Sequence, residues 1–151
     1  MKLEGTFMKV GVRNNNGRIY TAEAIEEAFA AYQKKVDDGK AFGTILDIDH
    51  PSESFEPELK DISHRVTEVN YNEDTGEVFG KIELYEDTPK GKIVKSIIDN
   101  FGSLDIAPSM IVDNSNTVNG AIGHVERLNS FDICKESAWP EAKVKPTTTQ
   151  Q

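Results

Sequence analysis

Two segments with helical periodicity, separated by short stretches of β-forming residues, constrain the fold of this chain more than any other feature. The first helix is predicted over about residues 22–37, with Thr21 as its N-cap and Gly39 just beyond its end. The second is predicted to begin at Thr88-Pro89 and to stop at Gly102. The apolar faces predicted to be buried are Ile25, Phe29, Tyr32 and Val36 in the first helix, and Ile93, Val94, Ile97, Ile98 and Phe101 in the second.

The remaining periodic segments favour strands. They are residues 3–12, 43–48, 61–71, 77–85, 103–112 and 122–134. The Asn-Glu-Asp-Thr-Gly sequence at 72–76 predicts a hairpin turn between two of them. Since strands joined by short turns pair antiparallel, we expect an α+β fold: a mostly antiparallel small barrel or sheet with two or more flanking helices. We expect residues 1–142 to form one domain and the polar segment 143–151 to form a tail.

Composition excludes several classes of protein. The 151 residues carry 26 acidic and 17 basic side chains, a net charge of −9, which argues against nucleic acid as the main partner. No apolar run is long enough to span a membrane, and the N-terminus lacks the apolar stretch of a signal peptide. Cys134 is the single cysteine, so an internal disulfide and a Cys-based zinc site are excluded, and an intracellular compartment is expected.

Two histidines lie in candidate sites. His50 follows a predicted strand in the sequence Asp47-Ile48-Asp49-His50-Pro51, where a general base would stand on a rigid support; the alternative is a surface loop. His64 alternates with Ser63 and shares the apolar face of its strand, so a hydrogen-bonded core histidine is the favoured interpretation. A metal site formed by Asp47, Asp49, His50 and His64 is an alternative, but its spacing matches no standard ligand pattern, and we predict no metal and no cofactor.

Two further segments supply a serine and an acid. Ser109 follows Pro108 in an apolar strand, where the proline marks either an exposed bend or simply an edge or bulge. Asp132 alternates with apolar neighbours, so it either faces solvent or orients a histidine from behind. A serine nucleophile needs both partners, a histidine and a group that orients it.

Six short motifs follow one another along residues 5–142. They are Asn14-x-Asn16-Gly17-Arg18-Ile19-Tyr20, Asp47-x-Asp49-His50-Pro51, Ser63-His64, Thr88-Pro89-x-Gly91-Lys92, Leu104-x-Ile106 and Phe131-Asp132-Ile133. In order and spacing they resemble the prohead core proteases of tailed bacteriophages, a family similar in fold to the herpesvirus assembly proteases. The resemblance implies a self-associating serine protease of the immature capsid. It would cleave scaffold and major capsid proteins after glutamate, inside or on the procapsid in the host cytoplasm.

The resemblance also implies site residues. His50 matches the catalytic histidine, Asp132 lies where the third triad member is expected, and Ser109 is the nominal nucleophile. Aligned without a gap, however, the family's serine falls on Ala107, two residues earlier in the strand. Three interpretations follow: Ser109 is the nucleophile of an active enzyme, Ala107 is an engineered replacement of that serine, or the chain is an inactive relative with a structural role in the capsid.

Overall fold

Both helices have the predicted ends. A computed structural model describes residues 1–46 and 57–147. In it, α1 spans Ala22–Asp37 and α2 spans Pro89–Phe101. The Thr21 hydroxyl accepts a hydrogen bond from the Ala24 N–H, and the Thr88 hydroxyl accepts one from the Gly91 N–H. Gly102 ends α2 with a φ of 86°, a conformation that glycine adopts without strain, so the predicted caps are confirmed.

The buried face of α2 is narrower than predicted. Val94 and Ile98 are buried, but Ile93 is 50% exposed and Phe101 is 78% exposed. The prediction that all five apolar residues of this helix are buried is therefore wrong. A single helix against a sheet covers only the stripe that faces the sheet, and Ile93 and Phe101 lie on the neighbouring stripe at i and i+8.

Nine strands are present in the described part of the chain: β1 (Lys2–Lys9), β2 (Ile19–Tyr20), β3 (Phe42–Gly43), β4 (His64–Tyr71), β5 (Glu77–Leu84), β6 (Leu104–Asp113), β7 (Ala121–Ile122), β8 (His124–Cys134) and β9 (Lys143–Pro146). Seven of these form one sheet in the order β3-β4-β5-β1-β9-β6-β8, with every neighbouring pair antiparallel. β2 and β7 form a separate parallel pair. A short 3-10 helix spans Leu59–Asp61. The fold is mixed α+β, with a nearly closed, barrel-like antiparallel sheet and two helices.

Residues 42–46 bring the two outer strands of this sheet together. Gly43 pairs with His64 of β4, and Ile45 then forms a parallel bridge with Ile133 of β8. Backbone hydrogen bonds join Ile133 to Thr44 at 2.9 Å and to Leu46 at 2.8 Å. We call this junction the closing seam; it consists of residues 42–46, 63–65 and 130–134. It makes the sheet nearly closed and leaves few unpaired strand edges.

The segment predicted to start a polar tail begins with a strand. β9 lies between β1 and β6, and its Val144 is fully buried. Burial of the Val144 side chain thus anchors a segment whose polar composition predicts that it does not pack by itself. Gly5 of β1 permits this approach, because a Cβ at that position would overlap the carbonyl oxygen of Lys143. Within residues 1–46 and 57–147, no helix is long and apolar enough to cross a membrane.

Candidate active site and the buried cluster beside it

Asp132 is the centre of a buried hydrogen-bond cluster in the closing seam. Its fully buried carboxylate accepts hydrogen bonds from the Thr44 backbone N–H at 2.9 Å, the Ser109 hydroxyl at 2.6 Å and the Ser130 hydroxyl at 2.7 Å. The donors belong to the seam segment, β6 and β8. The carboxylate therefore connects three parts of the sheet, and its donors compensate for the lost hydration.

Burial controls the electrostatics of this cluster. It raises the pKa of Asp132, while the hydrogen bonds from Ser109, Thr44 and Ser130 act in the opposite direction. The pKa of Tyr32 on α1 is raised well above its ordinary value, first by burial and then by the nearby charge of Asp132.

His64 reaches across the seam from β4. Its ring is fully buried, with Nδ1 2.7 Å from the Ser63 hydroxyl and Nε2 2.8 Å from the carbonyl oxygen of Phe131. Because a carbonyl oxygen only accepts, Nε2 carries the proton and Nδ1 accepts from Ser63. Burial lowers the pKa of His64 to about 4. The interpretation of His64 as a hydrogen-bonded core histidine is confirmed.

Ser109 and Asp132, two of the three predicted triad residues, are in direct contact. Ser109 is fully buried, and its hydroxyl donates to the carboxylate. In the β6–β8 register, Ser109 lies opposite Ser130, and Ala107 lies opposite Asp132. The irregularity predicted at Pro108 is present as a register shift immediately after Ser109.

The third predicted triad residue, His50, lies outside the described residues, together with Asp47 and Asp49. The last described residue before them is Leu46, whose N–H donates to the carbonyl of Ile133 in the seam. The segment that carries His50 therefore starts at the seam.

An open cleft of about 240 Å³ adjoins the seam, with which it shares Leu46 and Cys134. Segments far apart in the sequence line it: residues 14–20, Leu46, Ala107 with Pro108, and the turn that contains Trp139. Tyr20 packs against Trp139 with ring centroids 5.7 Å apart. The cleft thus has an aromatic wall next to the strand position where the resemblance places a nucleophile.

The Asn-rich motif shapes one side of this cleft. The side-chain oxygen of Asn14 accepts hydrogen bonds from the backbone N–H groups of Asn16 and Arg18, and Gly17 turns the chain with a φ of 76°. Arg18 is exposed, and its guanidinium has no hydrogen bond or ion pair with any described residue. The motif therefore presents at the cleft a cation that pairs with none of the residues in 1–46 and 57–147.

Cys134 is not a reactive thiol. It is 8% exposed, and burial, with smaller contributions from Asp105 and Asp132, raises its pKa to about 12. A thiol with this pKa is protonated near neutral pH and is a weak nucleophile. As for metals, no group of three or more His, Cys, Asp or Glu side chains suited to an ion occurs in residues 1–46 and 57–147.

Sequence reasoning missed the partners of Asp132. Thr44 and Ser130 hold the carboxylate, yet a threonine after a glycine and a serine in a strand carry no signal of this role. The alternation of Ser130 and Asp132 at i and i+2 on β8 was the available clue, because side chains two apart share a face.

The chain belongs to the prohead core protein serine protease family, whose model matches residues 1–150. Among solved structures it is similar to the bacteriophage T4 capsid assembly protease gp21, with a TM-score of 0.67 and 16% sequence identity. That match covers 89% of this chain and 82% of the T4 chain. At this identity the likeness shows a common fold. A search of curated protein sequences found no significant match.

Proposed function

We propose that this protein acts in phage head maturation and that the cleft is where it binds extended segments of scaffold and major capsid proteins. The observation that carries this proposal is the meeting of Arg18, Leu46 and Ala107 in one cleft. Arg18 belongs to one motif of the family resemblance, Leu46 directly precedes a second, and Ala107 directly follows a third. Self-association, a herpesvirus assembly-protease-like barrel and a location inside the procapsid belong to the same proposal.

The proposed chemistry is acyl transfer by a serine. Ser109 would attack the peptide carbonyl, His50 would accept the serine proton and return it to the leaving amine, and Asp132 would orient His50. Backbone N–H groups would hold the oxyanion. The observation that supports this set is that the segment carrying His50 starts at Leu46, which is hydrogen-bonded to Ile133 next to Asp132. For catalysis the Ser109 hydroxyl would exchange its bond to Asp132 for one to His50.

A second candidate function, peptide binding without hydrolysis, is favoured by the position of Ala107. Ala107 lines the cleft, whereas Ser109 is fully buried with its hydroxyl committed to Asp132. An attacking serine must reach the substrate and share its proton with a histidine. On this account the chain keeps the cleft of the family and lacks the hydroxyl group within it.

Intact mass spectrometry of the scaffold and capsid proteins after incubation with the purified chain separates these candidates. Cleavage that both His50→Ala and Ser109→Ala abolish, with both variants folded, supports the proposed catalytic set. Absence of cleavage by the parent chain, with cleavage gained in Ala107→Ser, supports binding without hydrolysis. Scaffold protein that is neither bound nor cleaved by any form would overturn the proposed function.

A further inference from the structure

A second, apolar groove of about 550 Å³ adjoins the cleft. One wall is the outer stripe of α2, and the floor comes from the seam and the start of β6. We call it the α2 groove; its apolar lining includes Ile45, Ile93, Ile97, Phe101, Leu104 and Ile133. Leu46 and Cys134 line both the α2 groove and the cleft, so the two depressions border each other at these residues.

The exposed wall of the α2 groove is unusual for a surface helix. Ile93 is 50% exposed and Phe101 is 78% exposed, and with Ile97 they form one stripe at i, i+4 and i+8. The other large hydrophobic residues exposed in the described chain, Val12, Leu59 and Val118, belong to other parts of the fold. Contiguous apolar side chains around a concave surface are typical of a binding site.

The charges near this groove select its partner. Among the described residues, no carboxylate lines the groove, whereas one lysine, Lys135, does line it. On the adjoining helix, Lys95 pairs with Asp99 at 2.6 Å and also lies near Glu86, so its charge is offset. Lys135 is therefore the charge that the groove itself presents among the described residues, on a chain of net charge −9. An acidic segment would be attracted to this lysine.

We propose that the α2 groove docks a second part of the substrate protein, a segment whose apolar side chains are flanked by carboxylates, next to the segment held in the cleft. The inference rests on the proposed function, because the shared border at Leu46 and Cys134 matters only if the cleft holds substrate. Docking outside the cleft would raise the local concentration of the segment to be processed.

The test uses a fluorescein-labelled peptide with two leucines one helical turn apart, flanked by glutamates, and a companion peptide with lysines in place of the glutamates. Fluorescence anisotropy gives the Kd of each for the whole chain. We expect Phe101→Ser and Ile93→Ser each to weaken binding of the acidic peptide about tenfold. We expect Lys135→Glu to weaken it as well, and the lysine peptide to bind poorly to the parent chain.

Two variants at unrelated exposed positions serve as controls. Leu59→Ser removes an 80% exposed apolar side chain, and Lys60→Glu reverses an exposed lysine; both should bind as the parent does. Equal binding by the parent and the groove variants, or equal binding of both peptides, would overturn the inference. A dimer in sedimentation that Phe101→Ser dissociates would assign the groove to a second copy and also overturn it.

Failure of this inference and failure of the proposed function give different results. If the groove variants bind the acidic peptide normally while the parent chain still binds or cleaves scaffold protein, only the groove inference fails. If the parent chain binds neither the peptide nor scaffold protein, both fail. Thermal unfolding of each variant shows that it is folded, as expected for substitutions at exposed positions.

Discussion

The closing seam and the cleft share Leu46 and Cys134 but treat their polar side chains in opposite ways. In the seam, Asp132 and His64 are fully buried; the Asp132 carboxylate accepts hydrogen bonds within the chain, and the His64 ring both accepts and donates them. In the cleft, Arg18 is exposed and has no partner among the described residues. The seam uses its polar groups to hold the sheet together, whereas in the cleft the exposed Arg18 bonds to no other described part of the fold.

The same contrast separates two neighbouring positions of β6. Ser109 is hydrogen-bonded to Asp132 of the seam, and Ala107 lines the cleft. A strand places residues i and i+2 on one face, so sequence alternation alone does not distinguish them. What distinguishes them is exposure, which depends on the elements packed around the strand. The two regions therefore predict different consequences of substitution.

The largest effect is expected at the centre of the seam. Asp132→Ala leaves Ser109, Ser130 and the Thr44 N–H without their acceptor, and should lower the free energy of unfolding by about 3–5 kcal/mol. Urea denaturation followed by circular dichroism measures this loss. Asp132→Asn, which keeps a carbonyl acceptor, should lose less. An unfolding midpoint unchanged in Asp132→Ala would contradict the structural role of the seam.

The second prediction concerns pH. Because the folded-state pKa of His64 is about 4 and its ordinary value is 6.5, the unfolded state binds more protons between these values. His64 therefore contributes stability above pH 6.5 that is lost as pH falls toward 4, by about 3 kcal/mol at most. Asp132, whose pKa is raised, has the opposite dependence: its contribution is lost as pH rises through its folded-state pKa.

The difference between the parent chain and His64→Gln isolates the histidine. The free energies of unfolding of the two proteins, measured at several pH values, should approach each other as pH falls from 6.5 to 4, since glutamine does not titrate. A difference that stays constant over this range would show that His64 is not held neutral by burial.

Ser109→Ala is expected to have a smaller effect on stability, about 1–2 kcal/mol, because Asp132 keeps its bonds to Thr44 and Ser130. The matched control is Ser96→Ala at an exposed position of α2, which should remain within about 0.5 kcal/mol of the parent. A Ser109→Ala variant as stable as this control would show that Ser109 does not help to hold the seam together. In that case its bond to Asp132 would have no structural value.

The smallest effect on stability is expected in the cleft. Arg18→Ala should change the free energy of unfolding by less than about 0.5 kcal/mol, because the guanidinium has no partner in the described chain. Binding of scaffold protein, measured by calorimetry, should nevertheless weaken. Arg18→Lys keeps the charge and should retain part of the affinity. A large loss of stability in Arg18→Ala would erase the distinction between the cleft and the seam.

The sequence predicts local features of this fold well. The Thr21 and Thr88 caps, the Gly102 stop and the turn at 72–76, in which the Asn72 side chain accepts from the Asp74 N–H, all depend on neighbouring residues. Features that depend on residues far away in the sequence are harder to predict from it. The exposure of Phe101 and the pairing of β9 inside the sheet follow from how the elements pack, and no local pattern records this.

The candidate site divides in the same way. His64 could be interpreted as a core residue because alternation places it on the apolar face with Val66. The contact of Ser109 with Asp132 could not be predicted from the sequence, because these residues are 23 positions apart and meet only through the β6–β8 register. The role of His50 stays a prediction, because that residue lies outside the described part of the chain.

Trp139 offers the most direct measurement of whether the cleft is the binding site. It is the single tryptophan of the chain and it lines the cleft, so its indole N–H gives one assigned signal in a ¹H–¹⁵N correlation spectrum. On titration with scaffold protein, the account predicts a saturable shift of this signal that Arg18→Ala weakens. An indole signal that stays in place while signals elsewhere move would contradict the assignment of the cleft as the peptide-binding site.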